Sequence, residues 1–464
     1  MKRRQRGYRG AAAMLAMMVV VGACGASTTT EEAADSGDDT GDSTEATTSE
    51  TGTDSGGTDT GTEATGDDGP GVSADEVKVG FIITDLEAVS KALDFEVPDQ
   101  GDEEAQIRTI AEHINATGGI GGRDLVPVAR VFNAIQDTPS NEEELCLGLT
   151  EDDKVFAVAM TGQFQENARP CYAERDTLML DYTLYPLDDV SIGELEPYLW
   201  QPGLPSYDDA IAGMADAMAT TDFLDGATLG VVGIDSEQNR RVYDGSLIPT
   251  LTELGVEVAD TQWIDPTDTS TLQAGQDQAV LSFKSNGVDR VLVLGGSRLA
   301  AFMIETGLGQ NYTPVYALSS FDNPEFAILN YPDIIDGTVG VSLSPGWDVA
   351  DDQYPLPANE MEETCLQVLE EGGHTFESRA NARTALGFCD AAMLLQAGAA
   401  ELDGALNAET WADAVGQMGT TMQLASPYAT TFAPDDYFGA SGYQVFAYNP
   451  DCACMELQGE TVEF

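Results

Sequence analysis

The run Val77-Lys78-Val79-Gly80-Phe81-Ile82-Ile83, closed by Thr84-Asp85, constrains the fold more than any other stretch. It has strand length and almost no polar residue, so it predicts a buried strand leading into a loop. Apolar residues at helical spacing (Ala105, Ile107, Ile110, Ala111, Ile114) then predict a helix over 102–115, stopped by Gly118-Gly119. Strand-length runs recur at 125–132, 155–160 and 177–180, with a helix carrying Leu145, Leu147 and Leu149 between the first two. After residue 203 the pattern restarts: helix 207–219, strand 228–234, helix 243–254, strand 256–264, helix 270–286, strand 288–294. Segments at 300–308, 314–318 and 339–343, helices at 359–371 and 379–401, and a strand at 444–448 complete it. This alternation predicts an α/β chain of two similar halves, each a mostly parallel sheet flanked by helices.

The N-terminus is built differently. Lys2, Arg3, Arg4, Arg6 and Arg9 precede a small-residue apolar run from Ala11 to Ala23, too short for a permanent membrane span and flanked like a secretory signal. Val21-Gly22-Ala23 before Cys24 resembles the lipobox of bacterial lipoproteins, which are cut before a cysteine that is then acylated. The expectation is a signal peptide over 1–23 and a lipidated Cys24, placing the protein outside the cytoplasm on a lipid anchor in the cell membrane. Residues 25–74 are Thr, Ser, Gly, Asp and Glu with almost nothing else, and no aromatic, Leu, Ile or basic residue. They bury too little apolar surface to offset their ordering entropy, so 24–74 is expected to be a lipid-anchored, disordered acidic linker. Fifty such residues reach on the order of 40 Å.

Charge excludes one class of partner. The chain has 20 Lys and Arg against 80 Asp and Glu, a net charge of −60, and losing the basic start takes it to about −65. Nucleic acid needs a basic footprint and is excluded. Of seven cysteines, six remain beyond Cys24, an even number in an exported chain. Fifteen pairings are open; joining near neighbours gives Cys146–Cys171, Cys365–Cys389 and Cys452–Cys454. Only His113 and His374 exist, neither beside a cysteine, so no metal or other cofactor is expected. With so few histidines, no Gly-x-Ser-x-Gly elbow and no distinctive carboxylate pair, an enzyme is not expected.

The stretch Ile114-Asn115-Ala116-Thr117-Gly118-Gly119-Ile120-Gly121-Gly122-Arg123 resembles the helix-to-strand turn of solute-binding proteins of the Leu/Ile/Val-binding type, the extracytoplasmic receptors of ABC importers. The order of elements matches from Val77 onward, and Cys389-Asp390-Ala391-Ala392 resembles that family's Tyr-Asp-Ala helix. Cys146 and Cys171 fall where such proteins carry a disulfide across the third strand. The resemblance implies two Rossmann-like lobes in a type I periplasmic-binding fold over 75–464. Lobe 1 would hold about 75–203 and 341–440, and lobe 2 about 204–340 and 441–464. Three hinge crossings would lie near Gly203, Val341 and Ser441, and the lobes would close on a ligand.

Ligands of open α/β sheets lie beyond the carboxyl ends of strands. Thr84 and Asp85 end the first strand. Gln163, Phe164 and Gln165 follow the third and begin a helix, whose backbone N–H groups suit a carboxylate or amide oxygen. Tyr182 and Thr183 follow the fourth. From the second half come Arg240, then Ser297 and Arg298, then Ser320, Phe321 and Asp322, with Asp322 resembling the carboxylate that receives an amino-acid ammonium. Two departures stand out: Gln163-Phe164-Gln165 replaces a Ser/Thr-rich run, and the loop after Asp85 is long and acidic through Asp102. The resemblance implies a monomer that captures a small-molecule solute, an amino acid of the branched-chain or amide class, and delivers it to an ABC permease. A membrane-tethered sensor of the same fold is the alternative.

Overall fold

The computed structural model describes residues 67–464 apart from Asp268, Glu401 and Asp403. The signal segment, Cys24 and the linker through residue 66 lie outside the described residues. In chain order the first sheet is built from β1 (Glu76–Thr84), α1 (Leu86–Leu93), α2 (Glu103–Ala116), β2 (Asp124–Phe132), α3 (Pro139–Leu147), β3 (Ala157–Met160), α4 (Ala168–Ala173), β4 (Leu178–Asp181), α5 (Asp189–Gly193) and β5 (Leu199–Trp200). Its five strands run parallel in the order β2-β1-β3-β4-β5. Every β3 and β4 residue is buried, because helices cover both faces.

The second sheet follows: α6 (Tyr207–Thr220), β6 (Leu229–Ile234), α7 (Glu237–Val242), α8 (Ile248–Glu253), β7 (Val258–Ile264), α9 (Thr269–Asn286), β8 (Arg290–Leu294), α10 (Ser297–Gly309), β9 (Val315–Ser319), α11 (Pro324–Asn330) and β10 (Val339–Ser342). The chain then returns to the first sheet with α12 (Glu360–Glu371), α13 (Arg379–Ala400) and α14 (Ala408–Gly416). It ends in the second with β11 (Gly442–Asn449), β12 (Cys454–Leu457) and β13 (Val462–Glu463). The main path of the second sheet is β12-β11-β10-β9-β8-β6-β7, with β11 antiparallel to β10 and β13 paired to β11.

Packing explains the return. Phe388 of α13 meets Phe81 of β1 edge-on at 5.5 Å, and Trp411 of α14 meets Trp200 of β5 at 5.3 Å. The chain passes between the sheets at 201–206, after β10, and before β11. Two of these passages are paired side by side through a bridge between Gln201 and Phe438.

The folded body begins earlier than the linker reading allows. Val72 is only 8% exposed and bridges to Val77, and the Gly69 N–H donates to Leu406 O at 2.8 Å. The Leu406 N–H donating to Asp68 Oδ1 at 2.8 Å and the Lys78 N–H to Gly71 O at 3.0 Å join this valine in holding residues that composition alone assigns to the linker. The loop after Asp85 also differs from expectation, since its first half is α1, started by Asp85 accepting the Ala88 N–H at 2.8 Å.

Disulfides join Cys146–Cys171, Cys365–Cys389 and Cys452–Cys454. The second staples α12 to α13 across a separation of 24 residues. Replacing both Cys365 and Cys389 by Ser is expected to cost about 3 kcal/mol of stability through the freed unfolded chain. Urea titration of oxidised wild type and variant measures it.

Candidate functional site: a cleft between the two sheets

A cavity of about 590 Å³ opens at the carboxyl ends of both sheets. Thr84, Thr161, Gly162, Phe164, Gln165, Tyr182 and Thr183 line it from the first sheet; Ser297, Arg298, Asn323 and Glu325 line it from the second. One face of α13 adds Arg379, Arg383, Leu386 and Gly387. Most of the remaining wall is apolar, including Leu86, Val89, Phe95, Val97, Ile135, Leu272, Phe302, Phe326 and Trp347. Gly162 has φ of +72°, and a Cβ there would lie 2.1 Å from Thr84 Oγ1, so only glycine lets these two loops touch.

The polar residues divide into those already bonded and those that are not. The Tyr182 and Thr183 hydroxyls and Arg383 Nε are buried without a hydrogen-bond partner. Burial, helped by Asp390, pushes Tyr182 well above the usual tyrosine range, so its hydroxyl stays a donor. A Cβ placed on Gly296 would lie 3.1 Å from Leu184 O, so the N-terminus of α10 stands beside the Thr183 segment. Gly296 gives α10 no side-chain cap; the Leu299 and Ala300 N–H groups return to Gly296 O at 3.0 and 3.2 Å, which leaves the Ser297 and Arg298 N–H groups without a carbonyl within the helix. Positive potential and free donors therefore gather at one end of the cleft.

Every arginine on the wall has a carboxylate of its own. Arg298 Nη1 reaches Asp137 Oδ2 at 2.6 Å across the cleft, and Arg383 Nη1 reaches Glu325 Oε2 at 2.6 Å. Arg379 Nε bonds Glu362 at 2.7 Å. Burial pulls Arg383 below its ordinary value and pushes Glu325 above its own, although the two face each other. Arg383 also stacks on Trp347 at 3.9 Å, while its Nε carries no hydrogen-bond partner. Glu96 and Glu103 are the wall carboxylates with no arginine among the described ion pairs; burial and then neighbouring Asp85 push Glu103 up to about 7.

Of the thirteen residues expected at a ligand, Thr84, Phe164, Gln165, Tyr182, Thr183, Ser297 and Arg298 line the cleft. The structure puts the other six elsewhere. Asp85 caps α1. Gln163 is buried behind its loop, bonded to Tyr172. Arg240 is paired to Asp235 at 2.6 Å and stacked on Trp263. Ser320 donates to Asp348, and Phe321 packs edge-on against Tyr207 at 5.4 Å. Asp322 closes a capping box on Ser319, accepting its N–H at 2.8 Å and its hydroxyl at 3.0 Å. It is not among the residues that line the cavity.

The third-strand loop also differs in its donors. The N–H groups of Phe164 and Gln165 are taken at 2.7 and 3.0 Å by Glu142 Oε1, from α3. A buried internal carboxyl sits where an external one was expected, and burial with nearby Asp137 pushes it up to about 9. Arg383, Trp347 and Phe95 were not anticipated. Arg383 lies inside a helix whose apolar pattern signals packing. Phe95 lies in a loop that composition marks only as acidic.

A family model described as periplasmic binding protein matches residues 101–449. No curated protein matches the sequence. Solved structures with a similar fold include a solute-binding protein of an ABC transporter from R. palustris in complex with 4-hydroxybenzoate. It is 17% identical, with a TM-score of 0.58, covering 84% of this chain and 97% of that one. A branched-chain amino acid ABC transporter protein from Thermus thermophilus with bound valine is 13% identical, with a TM-score of 0.57 and coverage of 84% and 97%. A fatty acid ABC transporter substrate-binding protein from Thermomonospora curvata is 15% identical, with a TM-score of 0.57 and coverage of 86% and 95%.

Proposed function

The chain belongs to the periplasmic binding protein family, and from that premise we propose that it is the extracytoplasmic solute-binding component of an ABC importer. Anchored through Cys24 and its acidic linker, it captures one small solute between the two sheets and presents it to a membrane permease. The observation that carries this reading is the cleft, closed from both sides by pairs such as Arg298–Asp137 and holding buried donors without partners. A hinged pair of lobes needs such cross-cleft contacts to favour the closed state once a ligand fills the space.

The wall favours a solute with one carboxylate or carbonyl head and an apolar body. Thr183, Tyr182, the α10 N-terminus and Arg383 Nε would hold the head. The aromatic and aliphatic wall would hold the body, burying it for about 25 cal/mol per Å². Branched-chain amino acids are the second reading, favoured by Glu103, whose carboxyl has no arginine partner and is available to an ammonium.

One matched pair of ligands separates the two. 4-Methylpentanoate is leucine without its ammonium group. Titrated into the body with residues 1–66 removed, it is expected to raise the melting temperature more than leucine does. At one hundred times its dissociation constant it adds about 2.7 kcal/mol. Leucine raising it more would move the assignment to the amino-acid class. No response to any small carboxylate, amide or amino acid would remove the solute-receptor reading.

A further inference from the structure

The acidic segment after β1 is not used by the head-group site, yet it reaches both sides of the cleft. Its roots are on the first-sheet side. Ser90 Oγ donates to Phe95 O at 2.7 Å, Gln100 Nε2 donates to Ala380 O at 2.9 Å, and Asn381 Nδ2 donates to Asp99 O at 2.9 Å. Its tip is on the other side. The Phe95 ring meets Phe326 of α11 edge-on at 4.7 Å and lies 6.3 Å from Phe302 of α10. The Glu96 N–H donates to Asn330 Oδ1 at 3.0 Å, and Asn330 Nδ2 returns a bond to Glu96 O at 3.3 Å. Between root and tip, Leu86, Val89, Phe95 and Val97 face the cavity.

Resting on the solute-receptor reading, we propose that residues 86–100 form a strap across the cleft and that Phe95 determines specificity by gauging the length of the solute's apolar part. The chemistry is one-sided. The strap's cavity-facing residues from Leu86 to Val97 are apolar apart from the exposed Glu96, whose backbone is bound to Asn330, so what it offers the solute is mostly surface without orienting groups. Phe95 is the one side chain of the strap that lines the cavity and also packs on rings from the opposite side. A longer solute must displace this ring from Phe326, losing the aromatic contact that holds the tip down. A shorter one leaves a void beneath it, which costs dispersion contacts.

The test uses straight-chain alkanoates and the matching n-alkanols from four to ten carbons, titrated calorimetrically into wild type, Phe95→Ala and Phe95→Leu. The alkanols keep the length comparison alive if the head-group assignment is wrong. Each newly buried methylene is worth about fourfold in affinity, so Phe95→Ala is expected to raise the ten-carbon to six-carbon affinity ratio by about tenfold or more. Phe95→Leu, which keeps an apolar tip, shifts the ratio in the same direction by less. An unchanged ratio, or an equal loss at every length, overturns the gauge. If neither series binds wild type, the gauge falls; the solute reading falls with it only if amino acids and amides also leave the melting temperature unchanged. The strap itself is read without any solute, by amide hydrogen exchange at Glu96. Exchange rises in Phe95→Ala and in Asn330→Ala if the tip is clasped across the cleft, and wild-type exchange in both variants overturns the strap.

Discussion

More urea is expected to be needed to unfold the body at pH 5 than at pH 8, by several kcal/mol in stability. The cause is three buried carboxyls. Burial pushes Asp322, Asp348 and Asp390 each up to about 7, against serine and backbone donors that pull them down. A group with a folded value near 7 and an unfolded value of 3.8 binds its proton more tightly in the folded chain. Stability from that group is present below the unfolded value and is lost as pH rises through the folded one. At about 1.4 kcal/mol per unit, each corresponds to something on the order of 4 kcal/mol across that window. Glu142, pushed up to about 9, extends the same slope to higher pH.

The opposing groups act elsewhere on the scale. Burial raises Asp188, but the bonds from Arg241 and Ser191 outweigh it and leave the group below its ordinary value. Its contribution is lost only at more acid pH, below the range compared. The surplus of acidic residues works in the same direction as the buried carboxyls, since protonation relieves self-repulsion in the compact state. Urea titrations at half-unit intervals from pH 5 to 8 measure the slope. A flat profile would show that these carboxyls are ionised and held by their serine donors, removing burial as the controlling effect.

Much of the fold was legible because the residues concerned answer to one dominant effect. β1, β3 and β4 are apolar runs buried on both faces, and no other element satisfies such a run at that length. Cys365 and Cys389 pair because two consecutive, mutually packed helices bring near neighbours together. Elements were missed where the signal is short. β5 is two residues long, and α1 has only eight residues, started by one capping aspartate. The site was half legible for a related reason. Strand ends identify which loops meet, and Tyr182, Thr183 and Ser297 follow from that rule. Which polar groups remain free depends on tertiary partners. Glu142 takes the Phe164 and Gln165 N–H groups from another helix, and Asp322 turns back onto its own loop. No local pattern distinguishes a donor already satisfied by a distant carboxyl from one waiting for a ligand.

Replacing Asp181 by Ala is expected to cost about 3–5 kcal/mol, the loss typical of a buried ion pair broken on one side. Asp181 ends β4 with its side chain fully inside, and its Oδ2 receives Arg169 Nε at 2.8 Å and Nη2 at 2.7 Å. Arg169 is 3% exposed and has no second carboxylate bonded to it, so its charge would be left in a low-dielectric interior. The same aspartate also builds the site, because Oδ1 accepts the Thr183 N–H at 2.8 Å and so fixes the loop that presents the Thr183 hydroxyl. Stability and solute response should therefore fall together in Asp181→Ala. They should separate in Thr183→Val, where the lost hydroxyl has no partner and an isosteric methyl leaves folding within about 1 kcal/mol of wild type. Urea titration gives the first quantity, and the melting shift with 4-methylpentanoate gives the second. A Thr183→Val protein that still responds fully would place the solute head away from β4. An Asp181→Ala protein as stable as wild type would mean that Arg169 finds another partner.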